Sequence, residues 1–290
     1  MARSVAEGFE VFLQRLTPLD SQRAAAAAHR SRVETSLKKK LSITVMWETG
    51  SFHHGTGVRN YSDVDVLASI GNEKPISSDT ALAWVKSALT ASFPTTVVRI
   101  SRPAVVVEFA GGDETWEVIP GFIRSGSGSS SKLVYDIPGP SSGWIDSAPR
   151  EHLDYVNECN TKAGVKGGAK KLARLIKAWK YHNNVPISSF YLEMRVAQHL
   201  AKQASFIPIW DLCLLLEDMQ SHQLAGMNDP KQASGRIYPC SSDAKKIDAL
   251  SKLSTAATRA RKALDAQQEK QIDTAFHYLG LLFGGQFPAR

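Results

Sequence analysis

The feature that most constrains the fold is a change of texture along the chain. Between residues 41 and 122 lie five short strand-like runs: LSITVMWETG, YSDVDVLASI, TTVVRIS, AVVVEFAGG and ETWEVIPGF. Each is rich in β-branched or aromatic residues and bounded by Gly, Pro or polar residues. From residue 151 onward the apolar residues recur at helical spacing, predicting helices over 151–161, 166–181, 188–204, 209–223, 242–264 and 268–283. Two further helices are predicted in the first forty residues, where Phe9, Val11, Phe12 and Leu16 form a stripe. Pro18 then breaks the chain, and Asp20 or Ser21 can cap the second helix. One more is predicted over 79–93, capped by Ser78 or Asp79. The Ser-, Gly- and Pro-rich segment 125–149 reads as a long loop, as does 228–242. The expected architecture is α+β: a mixed sheet with helices in a lobe spanning 1–149, then a helical lobe over 150–290, with an active site in the cleft between them.

A chain of 290 residues with 43% hydrophobic and 22% charged residues can bury a core without disulfides. Its three cysteines, Cys159, Cys213 and Cys240, show no CxxC or Cys/His metal spacing, which favours a reducing compartment. The first residues carry acidic side chains within their apolar pattern, unlike a signal peptide. No apolar run reaches membrane-spanning length, and FIPIWDLCLLLEDM, interrupted by Asp211, reads as a buried helix. A cytoplasmic protein is expected, with no membrane partner. The net charge of +7 favours anionic partners but is equally compatible with a merely basic surface. No zinc finger, RNP-type motif or leucine zipper is present, so no specific DNA-binding module is expected.

The chemistry concentrates in Gly50-Ser51-Phe52-His53-His54-Gly55-Thr56, followed by Ser62-Asp63-Val64-Asp65-Val66. A Gly-Ser turn after a strand exposes backbone N–H groups and a hydroxyl to phosphate oxygens. Asp63 and Asp65, two apart on a strand, point to one face, while Val64 and Val66 point to the other. Carboxylates that close repel unless a cation lies between them. Hard oxygen ligands beside phosphates suit Mg²⁺ or Mn²⁺, and two ions can clamp an in-line displacement. D-x-D alone is weak, since surface strands often carry two acids. The Gly-Ser turn, the following Gly55-Thr56 and the Ser62-Asp63 pair make the combination far more specific.

GSFHHGT followed by SDVDV resembles the signature of the polymerase-β-like nucleotidyltransferases. Within that superfamily it resembles the bacterial cGAS/DncV-like enzymes and the oligoadenylate synthases, which make cyclic or linear oligonucleotide signals from NTPs. The resemblance implies a third carboxylate before a hydrophobic-hydrophobic-Pro run, and Glu117-Val118-Ile119-Pro120 fills it. The family residue is usually Asp, so Glu117 is a departure, and Asp113 and Glu114, beside Gly111-Gly112, compete as hairpin-turn residues. Asp63, Asp65 and Glu117 are thereby the implied catalytic and metal-binding set for two Mg²⁺ or Mn²⁺ ions. Gly50, Ser51 and Thr56 are the implied substrate turn.

In the helical half, Lys170, Arg174 and Lys177 share a face, ordinarily a solvated one. The resemblance assigns Arg174 and Lys177, ahead of Trp179, to the donor triphosphate. It assigns Ser189 to the same phosphates and Phe190 to stacking on the donor base. Phe190 as a core residue is an equal alternative, and Ser188 can cap the helix in either case. His53 and His54 are expected to be loop residues near the site, and Trp47 and Trp116 core residues. Asp229-Pro230 reads as a turn or cap.

The implied function is an NTP-joining enzyme that makes a cyclic di- or oligonucleotide messenger in antiphage signalling, with ATP or GTP as substrates. The alternatives are an RNA- or tRNA-tailing enzyme, an antibiotic-modifying nucleotidyltransferase, or a catalytically degenerate nucleotide-binding protein. The terminal GGQFPAR looks flexible and polar, open to a regulatory or C-terminus-modifying protein partner.

Overall fold

The structure is a computed structural model. It describes residues 2–61, 63–109, 114–124 and 132–290, and the backbone alone over 20–28. Ser62, Asp113, the Gly111-Gly112 turn and the candidate caps Asp20 and Ser21 therefore lie outside the described residues or side chains. The chain divides into two units, one of residues 18–153 with 231–235, the other of 1–17, 154–230 and 236–290.

The first unit is built on a sheet of seven strands: β1 (Ile43–Thr49), β2 (Val64–Ile70), β3 (Val97–Ser101), β4 (Ala104–Phe109), β5 (Glu114–Ile123), β6 (Tyr135–Pro138) and β7 (Trp144–Ser147). The order is β1-β2-β5-β4-β3, with β6 on β5 and β7 on β6. Among the described residues only β2 and β5 run parallel; the other pairs are antiparallel. All five strand-like runs are strands. The segment read as one loop over 125–149 contains β6 and β7 as well. Four-residue strands bracketed by Ser, Gly and Pro are too short to show a period, and they exist because a neighbouring edge completes their hydrogen bonds.

Alternation along the strands sorts the two faces. Val64, Val66, Ala68, Ile70, Val105, Val107, Trp116 and Val118 join one core. The same core takes Val33 and Leu37 of α2 (Asp20–Lys38) and Leu82, Val85 and Leu89 of α4 (Ser78–Ser92). Ser77, one residue ahead of the expected caps, caps α4 by accepting from the Asp79 N–H. On the opposite face, Leu67 and Ile119 pack with Tyr135 and Ile137. Trp116 is fully buried as expected, but Trp47 is 39% exposed and its indole donates to the Tyr135 hydroxyl at 3.1 Å. Met46 takes the core place on β1 instead, because the strand's period puts Trp47 on the other face.

The second unit is helical: α1 (Val5–Leu16), α5 (Pro149–Thr161), which begins in the first unit, α6 (Gly168–His182), α7 (Ser189–Ala201), α8 (Pro208–Ser221), α9 (Asp243–Gln268) and α10 (Ile272–Leu282). The first helix, grouped with the amino-terminal lobe on sequence grounds, packs here instead. Its Phe9 and Phe12 meet Phe283 and Phe287 with ring centroids 4.7–5.4 Å apart. The terminal GGQFPAR is correspondingly not a free tail: Phe287 is buried and Arg290 pairs with Asp273 at 2.5 Å. One aromatic residue in seven suffices to anchor such a segment when a matching aromatic pocket waits for it. Among the described residues no helix is long and apolar enough to cross a membrane. The three cysteines are free thiols.

Candidate active site

The chain leaves β1 into a single helical turn, α3 (Gly50–His54), and returns through β2. Gly50 opens that turn with φ at +66°, in the left-handed region. A Cβ there would stand 1.7 Å from Oδ2 of Asp65 and 2.3 Å from its Cγ. Glycine is thus required twice, by the backbone angle and by the carboxylate packed onto it. Gly55 closes the turn, also with positive φ. Thr56 is fully buried; its N–H and hydroxyl donate to the Ser51 carbonyl at 3.0 and 3.4 Å. Its visible role is to brace the turn that carries Ser51. His54 is buried, while His53 lies 3.6 Å from Glu48 with burial holding its pKa below the usual imidazole value.

Asp65 of β2 is in register with Glu117 of β5, and both lie on the face opposite the α2–α4 core. Asp63 directly precedes β2. Asp65 stands beside Glu117 on the neighbouring strand, and its side chain partly offsets the upward shift of the Glu117 carboxyl. The Glu117 carboxyl is pushed above the usual range first by burial and then by the charge of Asp63. Asp63 reaches solvent on one side, yet the protein crowded around it raises its pKa too, against the pull of Arg99. As they stand, no three His, Cys, Asp or Glu side chains among the described residues surround one point closely enough to hold an ion. The donor chemistry nonetheless fits a hard divalent cation: oxygen ligands only, mutually repulsive, on adjoining strands.

The competing acid Glu114 belongs elsewhere. It lies in β5 rather than in a turn, and three residues from Glu117 it faces the other side of the sheet. There its carboxylate is 3.0 Å from Nδ1 of His29 and accepts from the Trp116 indole at 2.6 Å. His29 in turn stacks on Phe109.

Sequence reasoning missed Arg99. It pairs in register with Val106, which pairs with Glu117, so it stands on the carboxylate face about 10 Å away across two strand spacings. It is ion-paired to Glu108 at 2.9 Å. Its charge lowers the pKa of both Asp63 and Glu117. The cue available in the sequence was its place in a strand with the parity of the carboxylates.

In the helical unit, Arg174 is half-buried on α6. Lys177 is fully buried, with its ammonium 2.7 Å from Glu193 of α7. Ser188 caps α7 by accepting from the Tyr191 N–H. Ser189 begins that helix and accepts from Lys180 at 2.6 Å. Phe190 is 37% exposed, so it is not a core residue. Lys180 and Glu193 were missed because a helical lysine reads as solvated until its partner is known. Asp229 is buried, a stronger constraint than a turn requires.

A mixed α+β sheet with two carboxylates around a central strand, a third on its parallel neighbour and a glycine-led turn against them is the frame of a nucleotidyltransferase. The sequence matches the family described as the "Second Messenger Oligonucleotide or Dinucleotide Synthetase domain" over residues 3–160, and the chain belongs to that family. Among solved structures it is similar to E. coli MS115-1 CdnC with ATP, at 17% identity and a TM-score of 0.78, over 98% of this chain and 99% of that one. The same protein in a CdnC:HORMA-deltaN complex gives 0.76, with 98% of each chain covered and 17% identity. Vibrio cholerae DncV cyclic AMP-GMP synthase, bound to the linear intermediate pppA(3′,5′)pG, gives 0.65 at 17% identity over 84% of this chain and 70% of that one. At that identity these likenesses establish the fold. A comparison with curated proteins finds no match.

Proposed function

We propose that the chain joins ribonucleoside triphosphates into a cyclic di- or oligonucleotide messenger with release of pyrophosphate. The observation that carries this reading is the convergence of Asp63, Asp65 and Glu117 on one sheet face, with Gly50 packed against Asp65. A sugar hydroxyl of one nucleotide forms a bond to the α-phosphorus of another. The bond from that phosphorus to the α–β bridging oxygen breaks, and pyrophosphate leaves with its electron pair. Glu117, whose affinity for a proton is raised by burial and by Asp63, accepts the hydroxyl proton. Asp63, Asp65 and Glu117 would hold Mg²⁺ or Mn²⁺, two ions by the resemblance, which when bound offset the charge growing on the phosphates. Ser51, on the turn braced by Thr56, meets phosphate oxygens. In the helical unit, Arg174, Lys177 and Ser189 are the groups that the resemblance assigns to the donor triphosphate, and exposed Phe190 offers a flat face to the base.

ATP and GTP are the proposed substrates, in keeping with the ligands named for CdnC and DncV. A HORMA-type regulatory protein is the proposed partner, by analogy with the CdnC complex, and antiphage signalling in the cytoplasm the proposed setting. The test is incubation of the purified protein with labelled NTPs and Mg²⁺ or Mn²⁺, then phosphatase and chromatography. A phosphatase-resistant, ring-closed product is expected. Extension of an added RNA, with no small product, would replace this reading with RNA tailing.

A further inference from the structure

Arg99 is the only cationic residue among the described residues of the seven strands. It stands opposite Val106 of β4, and Val106 stands opposite Glu117 of β5. Residues directly opposite one another share a face, so Arg99 rises from the carboxylate face, about 10 Å from Glu117. Its side chain is 54% exposed, and its Nε donates to Glu108 at 2.9 Å. A solvent-exposed cross-strand ion pair of this kind is weak. A phosphate can take two guanidinium N–H donors side by side, a stronger contact than the single one to Glu108.

In-line displacement fixes where each nucleotide lies. The bond that forms and the bond that breaks are on opposite sides of the α-phosphorus. The Gly50–His54 turn, which meets the phosphates of the donor, joins β1 to β2 at one end of the row β1-β2-β5-β4-β3. Glu117, which takes the proton of the attacking hydroxyl, is on the other side of Asp65 in that row. With the pyrophosphate leaving toward the turn, the attacking nucleotide approaches over β5, β4 and β3. When that nucleotide is an NTP, its ribose carries a triphosphate of its own, and the cation on that stretch of the face is Arg99.

We propose that Arg99 holds the 5′-triphosphate of the acceptor nucleotide and so makes the enzyme select a triphosphorylated acceptor over an unphosphorylated nucleoside. The assignment rests on the nucleotidyltransferase reading of the site. Burial raises the pKa of both Asp63 and Glu117, and the Arg99 charge opposes that rise. Loss of Arg99 therefore acts on the reacting carboxylates as well as on the acceptor, and the test must separate the two.

The experiment confines the reaction to one bond. A labelled 2′,3′-dideoxy-NTP has no hydroxyl to attack with and serves only as donor; an α,β-methylene NTP cannot lose pyrophosphate and serves only as acceptor. The matching nucleoside is the acceptor without phosphates. Wild type is compared with Arg99→Met, Arg99→Lys and Glu108→Gln, each shown to be folded by thermal unfolding. Arg99→Met should raise the KM of the methylene acceptor about tenfold or more, the size of one charge-assisted hydrogen bond. The KM of the donor should move less than about twofold, and the nucleoside acceptor should lose far less kcat/KM than the methylene acceptor does. Arg99→Lys should recover part of the loss, and Glu108→Gln, which removes the competing carboxylate, should not raise the acceptor KM. A folded Arg99→Met enzyme with a wild-type acceptor KM overturns the assignment. So does an equal loss with the nucleoside, which would place the effect in the carboxylates, or a loss confined to the donor. A wild-type protein that joins no donor to either acceptor, and makes no product from ordinary NTPs, overturns the nucleotidyltransferase reading itself and this assignment with it.

Discussion

Replacing Gly50 with alanine is the sharpest perturbation of the turn. The new Cβ would meet Oδ2 of Asp65 at 1.7 Å, Cγ at 2.3 Å and Cβ at 2.7 Å, whereas ordinary contact begins near 3.4 Å. The carboxylate must therefore withdraw by well over an ångström, because its own Cβ, fixed to the strand, is inside the limit too. Positive φ at +66° adds strain of about 1–2 kcal/mol for an L-residue. The core is untouched, since Val64 and Val66 point the other way. The expected loss of stability is about 1–3 kcal/mol, the usual cost of a strained backbone position, and the protein stays folded. Displacement of a reacting group by about 1 Å costs on the order of a hundredfold in rate, so turnover should fall at least that far. Urea unfolding and NTP turnover on one preparation separate the two effects. A Gly50→Ala enzyme that turns over at near wild-type rate refutes the claim that this contact sets the Asp65 carboxylate.

Without a divalent cation, Asp63 and Glu117 hold protons more tightly folded than unfolded, because both pKa values are raised. Their contribution to stability is fully present below the ordinary values of 3.8 and 4.5 and is lost as pH rises through the raised values. In chelator at neutral pH, Asp63→Asn should therefore unfold at a higher temperature than wild type, and added Mn²⁺ should stabilise wild type more than the variant; a less stable variant in chelator contradicts this. Glu114→Gln should cost about 1–3 kcal/mol through its lost pairing with His29 while keeping turnover per folded molecule, whereas Glu117→Gln should keep the fold and lose turnover. The reverse pattern would make Glu114 the third carboxylate. Glu193→Ala should lose about 3–5 kcal/mol in urea unfolding, because it strands the buried Lys177 ammonium, and a near-neutral effect would show that the ammonium escapes to solvent.

Local periodicity carried most of the fold. The parity of Val64 and Val66 against Asp63 and Asp65 is a property of any strand, so the carboxylate face could be read without coordinates. Gly50, too, was legible as a turn residue, though not as the place where Asp65 packs. The helices of the second unit begin and end within a few residues of their expected limits, because an amphipathic stripe marks its own extent. The strands β6 and β7 were not legible, since they owe their existence to the edge of β5 rather than to their own composition.

The sequence by itself determined the alternating strands, the amphipathic helices and the glycine-led turn followed by two carboxylates, all consequences of near neighbours along the chain. Only the tertiary structure decided which acid shares their sheet face and which helical lysine is buried in an ion pair. Glu117 and Glu114 differ in the face of β5 they occupy and in the His29 that claims one of them. Lys177 and Lys180 are indistinguishable in helical pattern until Glu193, 16 residues away, buries the first in an ion pair and leaves the second beside two hydroxyls. Burial and pairing are made by contacts distant in sequence, and those contacts set the energy of every charge in the site.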